Sequence, residues 1–174
     1  ELKLKIKGPF LNDNEKRHAI AELMIHNRRA KKFFNKIKDT TEKCIKDPKQ
    51  VGLCVDYMSN VTLPCIPVQD TYYFRKLTVN VFGIHDIASR KMTVFIYHEG
   101  KGGKGSNEVC SMLMWYVKNK ISDEVKTFHL FGDNCAGQNK NHTLVRLMMA
   151  LCETKRFEKI NLVFPVRGHS FMPN

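Results

Sequence analysis

Two short apolar runs, each ending in an aspartate, limit what this chain can fold into. One is Val51, Gly52, Leu53, Cys54, Val55 and Asp56; the other is Thr127, Phe128, His129, Leu130, Phe131 and Gly132, followed by Asp133. Runs this short and this rich in β-forming residues read as core strands. A carboxylate at the end of a buried strand is costly to ionise unless positive charge sits beside it. Two of them, on strands able to lie side by side, suggest a site for a divalent metal.

The 174 residues, 43% of them hydrophobic, suffice for one ordinary domain with a real core. No apolar run approaches the ~20 residues of a membrane helix and no signal-peptide pattern is present, so a membrane partner is not expected. The chain starts at Glu1 without a methionine and stops at Asn174 directly after a strand-like segment, and so reads as a piece of a longer protein. Net charge is +12. The first fifty residues hold fourteen Lys/Arg against seven Asp/Glu, more than half of that excess. A chain this basic favours polyanions, nucleic acid above all, although an inert basic surface fits the charge as well. Six cysteines form no CxxC pair, which argues against a zinc knuckle. Cys54, Cys110, Cys135 and Cys152 lie in apolar contexts where free buried thiols are common, so reduced cysteines and an intracellular protein are expected.

Residues 1–10 alternate polar and apolar before Gly8 and Pro9, as a short strand or extended arm would. Asn12 or Asp13 caps a long helix that runs to about Lys46 and ends at Asp47-Pro48. Ala19, Leu23, His26, Ala30, Phe33, Ile37 and Cys44 recur at steps of three and four, with a gap at Thr40. That stripe is a seam able to serve self-association. Arg28, Arg29, Lys31 and Lys32 crowd the middle of the helix, as a solvated face or as a track for phosphates. Residues 1–48 therefore form a basic N-terminal arm and helix, and 49–174 the core.

In the core, strands are expected at 51–58, 74–83 and 91–98, the last two joined as a hairpin through residues 85–90. Pro64 and Pro67 mark a loop before them. Gly100, Gly102, Gly103 and Gly105 form a mobile turn with Walker A-like spacing, but no lysine stands between Gly105 and Ser106, so an ATPase is not expected. A helix from Ser106 or Asn107 to Lys120, the strand ending at Asp133, a helix over 141–155 and a strand over 159–166 complete the order. His98 and Glu99 read as surface residues at a strand end, and Trp115 with Tyr72, Tyr73 and Phe74 as core. The first three strands can form a meander, and the last two, each preceded by a helix, should run parallel to the first by right-handed crossovers. The expected fold is α/β, with a mixed five-stranded sheet that brings Asp56 and Asp133 together.

This order and carboxylate placement resemble the ribonuclease H-like fold of DDE transposases and integrases. The run Asp133-Asn134-Cys135-Ala136-Gly137-Gln138-Asn139-Lys140-Asn141 resembles the DNCxGQNKN signature of an uncharacterised DDE-like domain in transposase-derived animal proteins. Supporting similarities are the basic helix around His26–Phe34, the loop at Leu63–Pro67, the Thr71–Phe74 strand entry, Gly105-Ser106-Asn107-Glu108, and the turn Gly168-His169-Ser170. The resemblance implies that Asp56 and Asp133 are the first two carboxylates of a two-metal Mg²⁺ or Mn²⁺ site acting on DNA phosphodiesters in the nucleus. Taken singly, each aspartate reads equally well as a turn residue. The family's third acid follows the GH[ST] turn, past Asn174, so on this reading the core is C-terminally truncated. His169 is a further candidate metal ligand, its alternative a turn histidine bonded to backbone. Gln138, Asn139, Lys140 and Arg167, with Arg28, Arg29, Lys31 and Lys32, are candidate nucleic-acid contacts. Asn139 and Asn141 read slightly better as helix caps. The alternative to a nuclease or strand-transferase is a catalytically inactive, domesticated module that binds nucleic acid or a protein partner.

Overall fold

The computed structural model describes residues 12–69 and 73–165. The expected N-terminal arm, Tyr72, Arg167 and His169 with its turn lie outside the described residues.

Asn12 opens α1 (Asp13–Lys46) through a capping box. Its side-chain oxygen accepts from the Glu15 N–H at 2.9 Å, and the Glu15 carboxylate accepts from the Asn12 N–H at 2.9 Å. The helix stops where Asp47 turns extended ahead of Pro48. Its buried stripe is Ala19, Ala30, Phe33, Ile37, Thr40 and Cys44. Thr40, the expected gap, is 1% exposed and completes the stripe.

Among the described residues the sheet has six strands rather than five: β1 (Gln50–Tyr57), β2 (Val61–Leu63), β3 (Leu77–Asp86), β4 (Met92–His98), β5 (Thr127–Gly132) and β6 (Lys159–Val163). The added strand, β2, has only three residues before Pro64, too few for side-chain alternation to declare itself. It pairs with β3 beyond the end of β1, on the same edge. β1, β3 and β4 form the antiparallel meander, while β5 lies parallel to β1 and β6 parallel to β5. α2 (Ser106–Lys120) precedes β5 and α3 (His142–Glu153) precedes β6. Among the described residues no helix is long and apolar enough to cross a membrane.

Strand alternation sends successive side chains to opposite faces. Leu53, Val55, Phe128 and Leu130 pack with Val109, Leu113 and Tyr116 of α2 and Leu144 and Met148 of α3 in the main core. Cys54 and Phe131 face the other way and pack with Phe33 and Ile37 of α1 and with Ile87. The Phe33 and Phe131 rings meet edge-on, centroids 6.1 Å apart. The seam of α1 from Phe33 to Cys44 thus has a partner within its own chain and is not free for self-association. Each fully buried side chain of this size stabilises by about 1.5–3 kcal/mol relative to its exposed state.

Several expectations shift. β3 begins and ends three residues later than expected, and the hairpin turn shortens because Asp86 accepts from Ala88 N at 2.9 Å and from Ser89 Oγ at 2.8 Å. Tyr73, Phe74 and Trp115 are exposed rather than core. Tyr73 and Phe74 precede β3 instead of opening it, and Trp115 lies off the buried stripe of α2, its ring against Phe95. All six cysteines are free. Cys44 and Cys54 are the buried ones; Cys110, Cys135 and Cys152 are only half-buried.

At Gly52 α1 lies close against the sheet. A β-carbon there would stand 2.4 Å from Ile87 Cδ1 and 3.4 Å from Cys44 Sγ. Gly52→Ala should therefore displace Ile87 and cost about 1–3 kcal/mol, read as a lower urea midpoint with an unchanged slope. An unchanged midpoint would mean that α1 adjusts freely on this face.

Candidate functional site

The register between β1 and β5 builds the site. Their last paired positions are Val55 and Gly132, so Asp56 and Asp133 follow at the same level on adjacent strands. Continuing the alternation, both stand on the face that carries Cys54 and Phe131, the side covered by α1.

Asp133 is held from its own loop. Its Oδ1 accepts from the Asn139 side-chain amide at 2.6 Å and from Cys135 N at 3.2 Å. Among the described residues, Oδ2 takes no hydrogen bond. The loop folds back on Cys135, whose carbonyl accepts from the N–H groups of Gln138, Asn139 and Lys140. Asn141 caps α3 by accepting from Leu144 N at 2.9 Å and donates to the carbonyls of Ala136 and Gln138. Gly132 makes room for this arrangement, since a β-carbon on it would lie 3.2 Å from Asn139 Cγ.

The run from Asp133 to Asn141 is therefore chiefly a device for fixing one carboxylate. Asn139, a candidate substrate contact, is 1% exposed and turned onto Asp133; it caps no helix and meets no solvent. Its Oδ1 is buried without a partner among the described residues. Asn141 is the cap. Lys140 is exposed at the loop surface and Gln138 half-buried beside it.

Asp56 is half-buried, and its carboxyl is raised from the usual 3.8 to about 6. Burial is the main cause and the Asp133 carboxylate the second; the Tyr57 backbone N–H and Lys104 pull the other way. Lys104 belongs to the glycine turn expected to be mobile, and the structure pins that turn. Glu108 accepts from Gly103 N at 3.2 Å and Gly105 N at 3.1 Å, the Tyr97 hydroxyl donates to the Gly103 carbonyl, and Asn80 donates to the Gly102 carbonyl at 3.2 Å. Tyr97 meets the Tyr57 hydroxyl at 2.7 Å. Lys104 Nζ donates to the Met58 carbonyl at 3.1 Å and lies 5.0 Å from the centre of the Tyr57 ring. Sequence reading missed this lysine. The available signal was Glu108, placed in the first turn of α2 where its carboxylate can tie the preceding N–H groups.

α1 runs antiparallel to β1: Cys44 lies beside Gly52, and Phe33 packs on Phe131. The turn before Phe33, carrying Arg28 and Arg29, therefore reaches the end of the sheet that holds the aspartates. An open groove of about 790 Å³ lies between α1 and the end of β6, lined by Arg28, Arg29, Lys31, Lys32 and Lys36 of α1 and by Val163 and Phe164; neither aspartate lines it. The candidate helix contacts are brought together in it. His98 and Glu99 are exposed at the far end of β4; Glu99 pairs loosely with Arg75.

Two carboxylates with oxygens to spare are hard donors of the kind that Mg²⁺ or Mn²⁺ takes, and their mutual repulsion is what a cation would relieve. Among the described residues no three His, Cys, Asp or Glu side chains are grouped to hold a metal ion. A family model described as "Domain of unknown function (DUF7869)" matches residues 69–172. No curated protein and no solved structure matches the chain.

The raised carboxyl makes a stability prediction. Between about pH 4 and pH 6 the folded chain keeps a proton on Asp56 that the unfolded chain has released, so stability falls as pH rises through that window. Asp56→Asn should raise the melting temperature at neutral pH, by no more than about 2 kcal/mol in stability given partial exposure, with the gain fading as pH drops to about 4. Calorimetric melting at several pH values reads this; a destabilised variant at neutral pH would show that the carboxylates do not oppose each other.

Proposed function

The chain belongs to the DUF7869 family, and we propose for this member a transposase-derived, ribonuclease H-like domain that cuts or joins DNA phosphodiesters with a divalent metal. One observation carries the reading: the β1–β5 register sets Asp56 and Asp133 side by side at the strand ends. The sheet order also supports it. An antiparallel meander of three strands followed by two parallel strands, each reached through a helix, is the arrangement expected of a ribonuclease H-like core.

Asp56 and Asp133 would hold Mg²⁺ or Mn²⁺, which when bound supplies Lewis-acid stabilisation of the attacking and leaving oxygens. The protein's own contributions follow from the geometry. Asn139 and Cys135 N fix one oxygen of Asp133, and among the described residues the other takes no hydrogen bond. Burial of Asp56 keeps water from screening its charge, which strengthens its attraction for a cation. Lys104, held by its own hydrogen bond to the Met58 carbonyl, supplies the positive charge beside Asp56.

A second reading, a catalytically inactive module that binds nucleic acid or a protein partner, is favoured by the lack of a third grouped ligand among the described residues. It keeps the basic groove and dispenses with the metal.

Calorimetric titration with Mn²⁺ separates the two. The nuclease reading expects binding that Asp56→Asn and Asp133→Asn each abolish, weaker affinity below about pH 6 as Asp56 takes up its proton, and loss of DNA nicking in the same variants. Salt-dependent DNA binding with no manganese binding in the wild type would favour the module.

A further inference from the structure

β4 lies at an edge of the sheet, and among the described residues it pairs only with β3. Asp86 N–H donates to the Lys91 carbonyl at 2.9 Å, and Glu99 N–H to the Thr78 carbonyl at 2.8 Å. Alternation along the strand therefore turns the backbone of Thr93, Phe95 and Tyr97 toward β3 and that of Met92, Val94, Ile96 and His98 outward. The His98 carbonyl accepts from Lys101 N–H at 2.9 Å, which ends the outward row.

Such a row is a template for another strand, and edges are ordinarily guarded by a lysine, a proline or a bulge. β4 has none of these. Met92–His98 contains no Lys, Arg, Asp, Glu or Pro, and its register with β3 is unbroken. Val94 and Ile96, on the α1 side of the sheet, are 44% and 69% exposed.

We propose that β4 joins two copies of this chain, edge to edge and antiparallel, about a twofold axis at Phe95. In that register Val94 of one copy faces Ile96 of the other, and the two exchange N–H···O bonds through groups that already point outward. Met92 faces His98. Phe95 faces its own copy, and Trp115, edge-on to Phe95 and 45% exposed, comes to the rim of the contact. Charge selects both the partner and the register. Just beyond the two ends of β4, Lys91 of each copy stands opposite Glu99 of the other. Among the described residues Lys91 forms no ion pair, and Glu99 has only its loose contact with Arg75 at 3.6 Å. The nearest alternative registers that keep the outward groups matched set Lys91 opposite Tyr97 or opposite Lys101, and lose both pairs. A joint free of lysine and arginine also suits two chains that each carry a net charge of +12. Because the contact is isologous, it closes at two copies. The proposal goes beyond the metal and nucleic-acid reading and does not depend on it.

The test is sedimentation velocity of the 174-residue chain over a concentration series, without metal or nucleic acid. A reversible monomer–dimer equilibrium is expected. Ile96→Lys puts a charge into the joint at an exposed position and should weaken the dimer by about tenfold or more. Lys91→Glu and Glu99→Lys, both at exposed positions, should each weaken it. An equal mixture of those two variants, or the double exchange in one chain, should restore it, since each again sets lysine against glutamate. Circular dichroism checks the fold of every variant, and the charge exchange decides alone should Ile96→Lys not fold. A chain that stays monomeric at every concentration would overturn the proposal and leave the edge to a strand of another protein. A dimer indifferent to Ile96→Lys, or one that the charge exchange does not restore, would overturn it as well.

Discussion

Everything at the candidate site depends on one parallel strand pair. β1 and β5 are neighbours because α2, between β4 and β5, lies across the sheet and buries Val109, Leu113 and Tyr116 against Leu53, Val55 and Leu130. The register follows from the same packing, since a slip by one residue would turn Leu53 and Val55 outward and bring Cys54 into the main core. The placement of Asp56 beside Asp133 is thus a by-product of hydrophobic alternation two and three residues earlier. No interaction between the carboxylates is needed to bring them together, and their charges oppose it.

The two faces of the sheet divide the labour. The face under α2 and α3 holds most of the apolar core and fixes the strands. Among the described residues the other face is covered by one helix, over a smaller cluster around Phe131. At the strand ends α1 carries arginine and lysine instead of apolar residues. The basic groove lies on this more lightly covered face, between α1 and the end of β6.

How much of this was legible in the sequence follows from the range of the forces involved. The ends of the 13–46 helix were readable to within about a residue because its signals are local: a capping asparagine and glutamate three apart, a repeating stripe, and a proline at the stop; of that stripe Leu23 and His26 are only half-buried. The strands carrying the aspartates were readable because they are continuous apolar runs. Thr40 was missed because a threonine can be buried in a helix by bonding its own backbone or by simple packing, and composition does not distinguish that from a gap. β2 was too short to show alternation, and β3 was displaced because aromatic residues at 73 and 74 imitate a strand entry while remaining exposed. The polar string after Asp133 looked like a substrate surface. The amides of Asn139 and Asn141 are instead spent on Asp133 and on the loop backbone, a distinction that only three-dimensional neighbours can make. The glycine turn looked mobile for a related reason: Glu108, Tyr97 and Asn80, which hold it, lie up to 22 positions away.

The electrostatics at the strand ends bear on why this surface is built as it is. Burial and Asp133 keep the Asp56 carboxyl at about 6, and the cation that partly offsets them is Lys104, from the loop after β4. The arginines and lysines of α1, though on the same side of the sheet, do not pair with either aspartate. The chain holds one carboxylate with an amide, and among the described residues the five cations of the groove form no ion pair. An acidic pair on one pair of strand ends and a basic groove under the same helix are the features on which the proposed metal-dependent, nucleic-acid-binding reading rests.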